Sequence, residues 1–258
     1  MANIVRLHCS EAGLGTPVVL LHGFPLASAI WSEQQCLGDR YRVITPDLRG
    51  HGQSPAPEGV YEMEDMARDV LALLDSLAIE KAVILGHSMG GYVTLAAWKL
   101  APERFLGLGL VASQAAADTE EGRQGRRKLA EKVSAEGNAA VAAAMLPRLF
   151  APDLEADSPL VDQARKMILG TPRAGILGAL NGMAVRENVT ALLTTIGVPA
   201  LILAGDKDQI IPPVKAEAMA AAIPKSTLAM IANAGHMPIL ERPVETTTAI
   251  GKFLGSIG

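Results

Sequence analysis

Seven short apolar runs recur along the chain, at residues 4–8, 18–21, 42–45, 82–85, 108–112, 200–204 and 227–231, with turns between them. Several are continuous rather than alternating, the pattern of strands covered on both faces. Helical periodicity fills most of the gaps. Met66, Val70, Leu73, Leu74 and Leu77 fall on one face of a helix over 63–77. A second helix is predicted over 92–100, stopping before Pro102. A third follows Pro212-Pro213 and contains Met219, and a fourth begins near Pro243 and carries Ile250, Phe253 and Leu254. Strands alternating with helices predict an α/β protein, a mostly parallel sheet with helices on both faces.

One stretch breaks the alternation. Residues 114–193 contain no convincing strand. Residues 116–133 are polar and charged, and 139–149, 158–169 and 172–185 read as helices, with Pro147, Pro152 and Pro159 interrupting. Roughly 80 residues without a strand is long for a simple crossover. The expected organisation is a core of 1–113 and 194–258 with a helical insertion at 114–193. The basic run from Arg123 to Lys128 is read as a solvated helix face.

Composition narrows the classes. The 258 residues are 49% hydrophobic and 19% charged, enough to bury a large core, but only 3% aromatic, so that core must be aliphatic. The net charge of −4 and the lack of a basic patch interleaved with aromatics argue against nucleic acid as a partner. Residues 1–6 lack the apolar core of a signal peptide, and no apolar run approaches ~18 residues, so neither a leader nor a membrane span is expected and the cytoplasm is the expected location. Cys9 and Cys36 are expected as free thiols. Neither a zinc-protease His-Glu-x-x-His nor a P-loop occurs, and no metal, nucleotide or other cofactor is expected.

The chemistry concentrates at Gly86-His87-Ser88-Met89-Gly90, between the apolar run 82–85 and the helix 92–100. The pentapeptide alone is a weak signal. Strand, sharp turn with central serine, then helix is the context of a nucleophile elbow. The two glycines leave room for neighbouring backbone, and the Met89 N–H is positioned to meet a developing oxyanion. A serine needs a base, and the base an acid. Of five histidines, His236 is the best base by position, in a loop after the run 227–231. The strand 200–204 ends in Asp206-Lys207-Asp208, which offers two acids.

These segments together resemble the α/β-hydrolase fold family over nearly the whole chain. His22-Gly23-Phe24-Pro25 resembles its oxyanion loop, and the segment from Asp47 to Ser54 resembles its common loop after the next strand. Gly205-Asp206-Lys207-Asp208 resembles the Gly-x-x-Asp pattern, and Gly235-His236-Met237-Pro238 with Glu241 resembles the histidine segment. The resemblance implies an inserted helical cap at 114–193. It also implies a triad of Ser88, His236 and Asp208, with Asp206 as the competing acid, and backbone N–H donors from Phe24 and Met89. The chain is most similar to small bacterial serine carboxylesterases, and also to 3-oxoadipate enol-lactonases and cofactor-free haloperoxidase-type esterases.

The expected activity is hydrolysis of small to medium carboxylic esters through an acyl-Ser88 intermediate. An enol-lactonase is the alternative; its carboxylate-bearing substrate would need a cation such as Arg148, Arg173 or Arg186. A hydrolase-fold receptor with slow turnover is another. Phe24, Trp31, Met145, Leu146, Phe150 and Met183 are candidates for the substrate pocket. His22 is expected to bond nearby backbone and shape the oxyanion loop. The expected partner is a small-molecule ester, with no membrane or nucleic acid, and the oligomeric state is left open.

Overall fold

The computed structural model describes residues 4–257; the first three residues of the segment read for a leader lie outside them. Seven strands form one sheet: β1 (Cys9–Ala12), β2 (Pro17–Leu21), β3 (Arg42–Pro46), β4 (Ala82–His87), β5 (Phe105–Val111), β6 (Ala200–Gly205) and β7 (Ser226–Ile231). Their order is β1-β3-β2-β4-β5-β6-β7. Only β1 runs antiparallel, against β3; the other pairs are parallel. The central strands are buried along their length. Leu20, Leu21, Ile84 and Leu85 lose all contact with solvent, each worth ~1.5–3 kcal/mol relative to exposure.

Helices α1 (Met63–Ser76), α2 (Met89–Leu100), α7 (Val214–Ala222), α8 (Pro238–Glu241) and α9 (Pro243–Gly255) connect or flank the strands. Between β5 and β6 lie α3 (Glu120–Glu136), α4 (Ala139–Leu149), α5 (Pro159–Gly170) and α6 (Arg173–Val185), with no strand among them. The polar stretch read at 116–133 is largely α3, begun by Thr119, whose hydroxyl accepts the Gly122 N–H.

The inserted helices dock on the core through glycines. A Cβ on Gly175 would lie 1.7 Å from the Gly50 oxygen, and one on Gly182 would lie 1.7 Å from the Tyr61 oxygen. Gly178 faces the Tyr61 ring, and its carbonyl accepts the Tyr61 N–H at 3.0 Å. Backbone therefore meets backbone, which only glycine permits. Beneath this contact, Arg49 forms a buried two-pronged pair with Asp69 of α1, at 2.5 and 2.7 Å.

The first strand departs from expectation. Residues 4–8 join no ladder; β1 begins at Cys9. Side chains take their amides instead: Val5 N–H donates to Asp69 Oδ1 (2.8 Å) and His8 N–H to Ser54 Oγ (2.9 Å). The 12-residue 3-10 segment Ser28–Asp39 has no counterpart in the apolar pattern; it carries Trp31, whose side chain is fully enclosed.

Candidate active site

The parallel strands deliver their functional residues to one edge, the carboxyl end of the sheet, where open α/β sheets carry ligands. Ser88 follows β4 with φ 50° and ψ −112°, a conformation costing an L-residue ~1–3 kcal/mol. Surrounding backbone enforces it. A Cβ on Gly86 would lie 2.1 Å from the Gly90 oxygen, and one on Gly90 2.6 Å from the Leu21 oxygen. The Ser88 N–H is held by the Val111 carbonyl at 2.8 Å, and its carbonyl accepts the Ser113 hydroxyl at 2.8 Å.

Ser88 Oγ lies 2.9 Å from His236 Nε2, and His236 Nδ1 lies 2.8 Å from Asp208 Oδ2. Asp208 Oδ1 accepts the N–H groups of Ile210 (2.8 Å) and Ile211 (2.9 Å), which fixes the carboxylate plane. Asp208 and His236 are buried and Ser88 is half-buried. Asp206, the competing acid, is exposed. In this connectivity Nε2 can accept the serine proton while the carboxylate faces the opposite nitrogen.

The loop after β2 is built around His22. Its Nε2 accepts the Leu48 N–H at 2.9 Å, so the proton sits on Nδ1, which donates to the Gly23 carbonyl at 2.9 Å. The Leu26 N–H also donates to that carbonyl, at 3.0 Å. In a trans peptide C=O and N–H point in opposite directions; fixing the Gly23 oxygen turns the Phe24 N–H the other way. Gly23 backs onto the elbow, since a Cβ there would meet Ser88 Cβ at 3.1 Å and His87 Nδ1 at 2.5 Å. Met89 is the first residue of α2, so its N–H has no carbonyl one turn earlier to bond. The positive end of α2 adds to the preference for an anion here.

The family model described as alpha/beta hydrolase fold matches residues 16–243. The chain belongs to the α/β-hydrolase family. It is similar to a thermophilic esterase from Thermogutta terrifontis, solved with malate bound: 41% identity, TM-score 0.95, covering 98% of this chain and 94% of that one. The enol-lactonase from Burkholderia xenovorans LB400 superposes with TM-score 0.90 at 29% identity, covering 97% of each chain. 3-Oxoadipate enol-lactonase 1 of Acinetobacter baylyi is 32% identical over 230 residues, 88% of this chain and 84% of that protein. Among the described residues no helix is long and apolar enough to cross a membrane.

The loop from Asp47 to Ser54 is structural in this hydrolase. Asp47 accepts the Ser28 and Gln53 N–H groups at 2.8 and 2.9 Å. Burial pushes its carboxyl up, but these donors prevail and hold it below the usual range. Three further buried histidines surround the site without joining the Ser88–His236–Asp208 chain. His87 reaches the His236 carbonyl through Nε2 at 2.8 Å. His51 holds the Arg49 carbonyl through Nδ1 at 2.9 Å. Burial, reinforced by the neighbouring imidazoles, drives both down to about 3, and burial also lowers His22. They remain neutral.

The pocket candidates divide. Phe24 packs edge-on against His51, with ring centroids 6.3 Å apart, and Met145 is partly buried. Leu146, Phe150 and Met183 are buried. Trp31 is a correction: fully enclosed beneath its 3-10 segment, it presents no surface to a ligand. The candidate arginines of the segment between β5 and β6 are engaged. Arg186 pairs with Asp118 at 2.7 Å and donates to the Ala116 carbonyl. Arg173 donates to the Ser134 carbonyl, and Arg148 to that of Gln209 at 2.6 Å. A cavity of about 240 Å³ on the flank of α2, lined by Met63, Tyr92, Leu95, Lys99 and Arg186 among others, includes no member of the Ser88–His236–Asp208 set. Sequence reasoning missed Ser113, which no motif marks, and the contacts made by Glu241.

Proposed function

We propose that this protein is a serine carboxylesterase acting on small to medium uncharged esters. The observation that carries the reading is the unbroken chain from Ser88 Oγ through His236 to Asp208, at 2.9 and 2.8 Å. Ser88 attacks the ester carbonyl as His236 takes its proton, and Asp208 stabilises the imidazolium. The Phe24 and Met89 N–H groups receive the oxyanion. The alcohol leaves with the proton returned by His236. Water, activated by the same imidazole, then releases the acid from acyl-Ser88. The inserted helices α3–α6 serve as the cap over this site.

The enol-lactonase relatives favour a second reading, hydrolysis of a lactone that carries a carboxylate. What supports the neutral-ester reading is the engagement of the candidate cations, Arg186 by a buried acid above all. The test is kcat/KM for p-nitrophenyl acetate through octanoate beside an enol-lactone. Each methylene buried in the acyl pocket is worth ~0.8 kcal/mol, about fourfold, until the pocket is full. Ser88→Ala should remain folded and lose several orders of magnitude, and a fluorophosphonate should label Ser88 alone. Weak activity on every neutral ester with rapid lactone hydrolysis, sensitive to Arg148→Ala, would establish the lactonase instead.

A further inference from the structure

Glu241 ends the short helix α8, five residues beyond the candidate base, and its carboxylate points back at the loop that carries His236. Its Oε1 accepts the N–H groups on either side of that residue, Gly235 at 2.9 Å and Met237 at 3.1 Å. Its Oε2 accepts the Ala151 N–H at 2.8 Å. Ala151 lies two residues beyond α4, on the chain leading to α5. One carboxylate thus joins the histidine loop to the inserted helices.

The segment around Ala151 holds the acid loop as well. Arg148 donates to the Gln209 carbonyl (2.6 Å), the Gln209 side-chain amide donates to the Phe150 carbonyl (3.3 Å), and Lys207 pairs with Asp153 (2.8 Å). The fit against the histidine loop is close: a Cβ on Gly235 would meet the Ala151 nitrogen and the Phe150 carbonyl carbon at 2.3 Å each. Residues 148–153 therefore form a strap laid across both loops that supply the triad's His and Asp.

We infer that Glu241 is a positioning residue for His236, and that its bond to Ala151 makes the setting of His236 depend on the strap at 148–153. The inference rests on the triad reading given above. Burial pushes the Glu241 carboxyl up even with three N–H donors upon it.

Substitutions separate the two halves of this role. In Glu241→Gln the remaining oxygen can still accept from Gly235 and Met237, but the new NH2 faces the Ala151 N–H, donor against donor. In Glu241→Met all three acceptors are gone. We expect kcat on a p-nitrophenyl ester to fall about tenfold in Glu241→Gln and about a hundredfold in Glu241→Met, with KM within about twofold. The rate of fluorophosphonate attack on Ser88 should fall in parallel. An amide-to-ester exchange at Ala151, with lactic acid incorporated there, removes the opposing N–H and adds no atom between the backbone and the residue-241 side chain. The double variant, Glu241→Gln with that exchange, should therefore recover activity relative to Glu241→Gln. A folded Glu241→Met enzyme with wild-type kcat overturns the positioning role. A double variant no better than Glu241→Gln overturns the link through Ala151, and this comparison stands even where Glu241→Met does not fold. Failure of the fluorophosphonate to label wild-type Ser88 would overturn the triad itself, an outcome separate from either.

Discussion

At the scale of single residues, burial and hydrogen bonding distinguish the two acids that follow β6. Asp206 and Asp208 are two positions apart, and the turn after β6 gives them opposite environments. Asp206 is exposed, whereas Asp208 is buried, bonded to His236 and held by the Ile210 and Ile211 N–H groups. Replacing the Asp208 carboxylate by an amide leaves the imidazole without its orienting partner and its cation without a counter-charge. Asp208→Asn should lower kcat by ~10³–10⁴, and Asp206→Asn should leave it within about threefold. Steady-state kinetics on one ester decide it; a reversed order would move the acid to Asp206. That Ser88, His236 and Asp208 would meet, and that His22 would bond nearby backbone, was legible because each lies in a motif whose spacing reflects backbone geometry. The Ser113 bond to Ser88 and the Ala151 bond to Glu241 were not, because they join segments distant in sequence and mark no local pattern.

At the scale of elements, the continuous apolar runs predicted five of the seven strands closely, since a strand buried on both faces must be apolar throughout. The edge strand β1 was less legible, although the run at 227–231 matched the other edge strand, β7, to within one residue. Residues 4–8 carry the apolar signal of a strand, yet their amides go to Asp69 and Ser54, and pairing starts only at Cys9. Nothing local marks that shift. The docking of α6 did leave a trace, in glycines at 175, 178 and 182 along one helical face, a spacing whose purpose appears only once Gly50 and Tyr61 are seen beneath it. Gly182→Ala would force a methyl to within 1.7 Å of the Tyr61 oxygen. Helix propensity alone would predict a gain of ~1 kcal/mol, but overpacking against backbone costs ~1–3 kcal/mol and should win. We expect a lower Tm and weaker ester binding as α6 is pushed from the core. Gly170→Ala, with nothing within 4 Å of the added methyl, should show neither and serves as the control; an unchanged Tm for Gly182→Ala would refute this account of docking.

At the scale of the whole molecule, the buried histidines tie stability to pH. His51 and His87 sit near 3 in the fold, with burial the main cause, and His22 is lowered for the same reason. Unfolded, each titrates near 6.5. The unfolded chain therefore binds more protons as pH falls below neutrality, and stability must decline in that direction. The contribution is fully present above the unfolded value and is lost progressively from about pH 6.5 toward 3. For one histidine the loss between pH 7 and pH 5 is about 2 kcal/mol, and it does not depend on how far below pH 5 the folded value lies. Asp69 and Glu241 act with the opposite sign, because burial raises both. His51 isolates the effect: Nδ1 donates to the Arg49 carbonyl, and Nε2 has no partner among the described residues to receive a second proton's bond. His51→Gln keeps a donor and removes the titration. Urea unfolding of wild type and His51→Gln at pH 7, 6 and 5 should show the variant losing about 2 kcal/mol less across that interval. Parallel stability curves would mean that His51 is protonated in the fold, and the neutral-histidine account of the core around the oxyanion loop would be wrong.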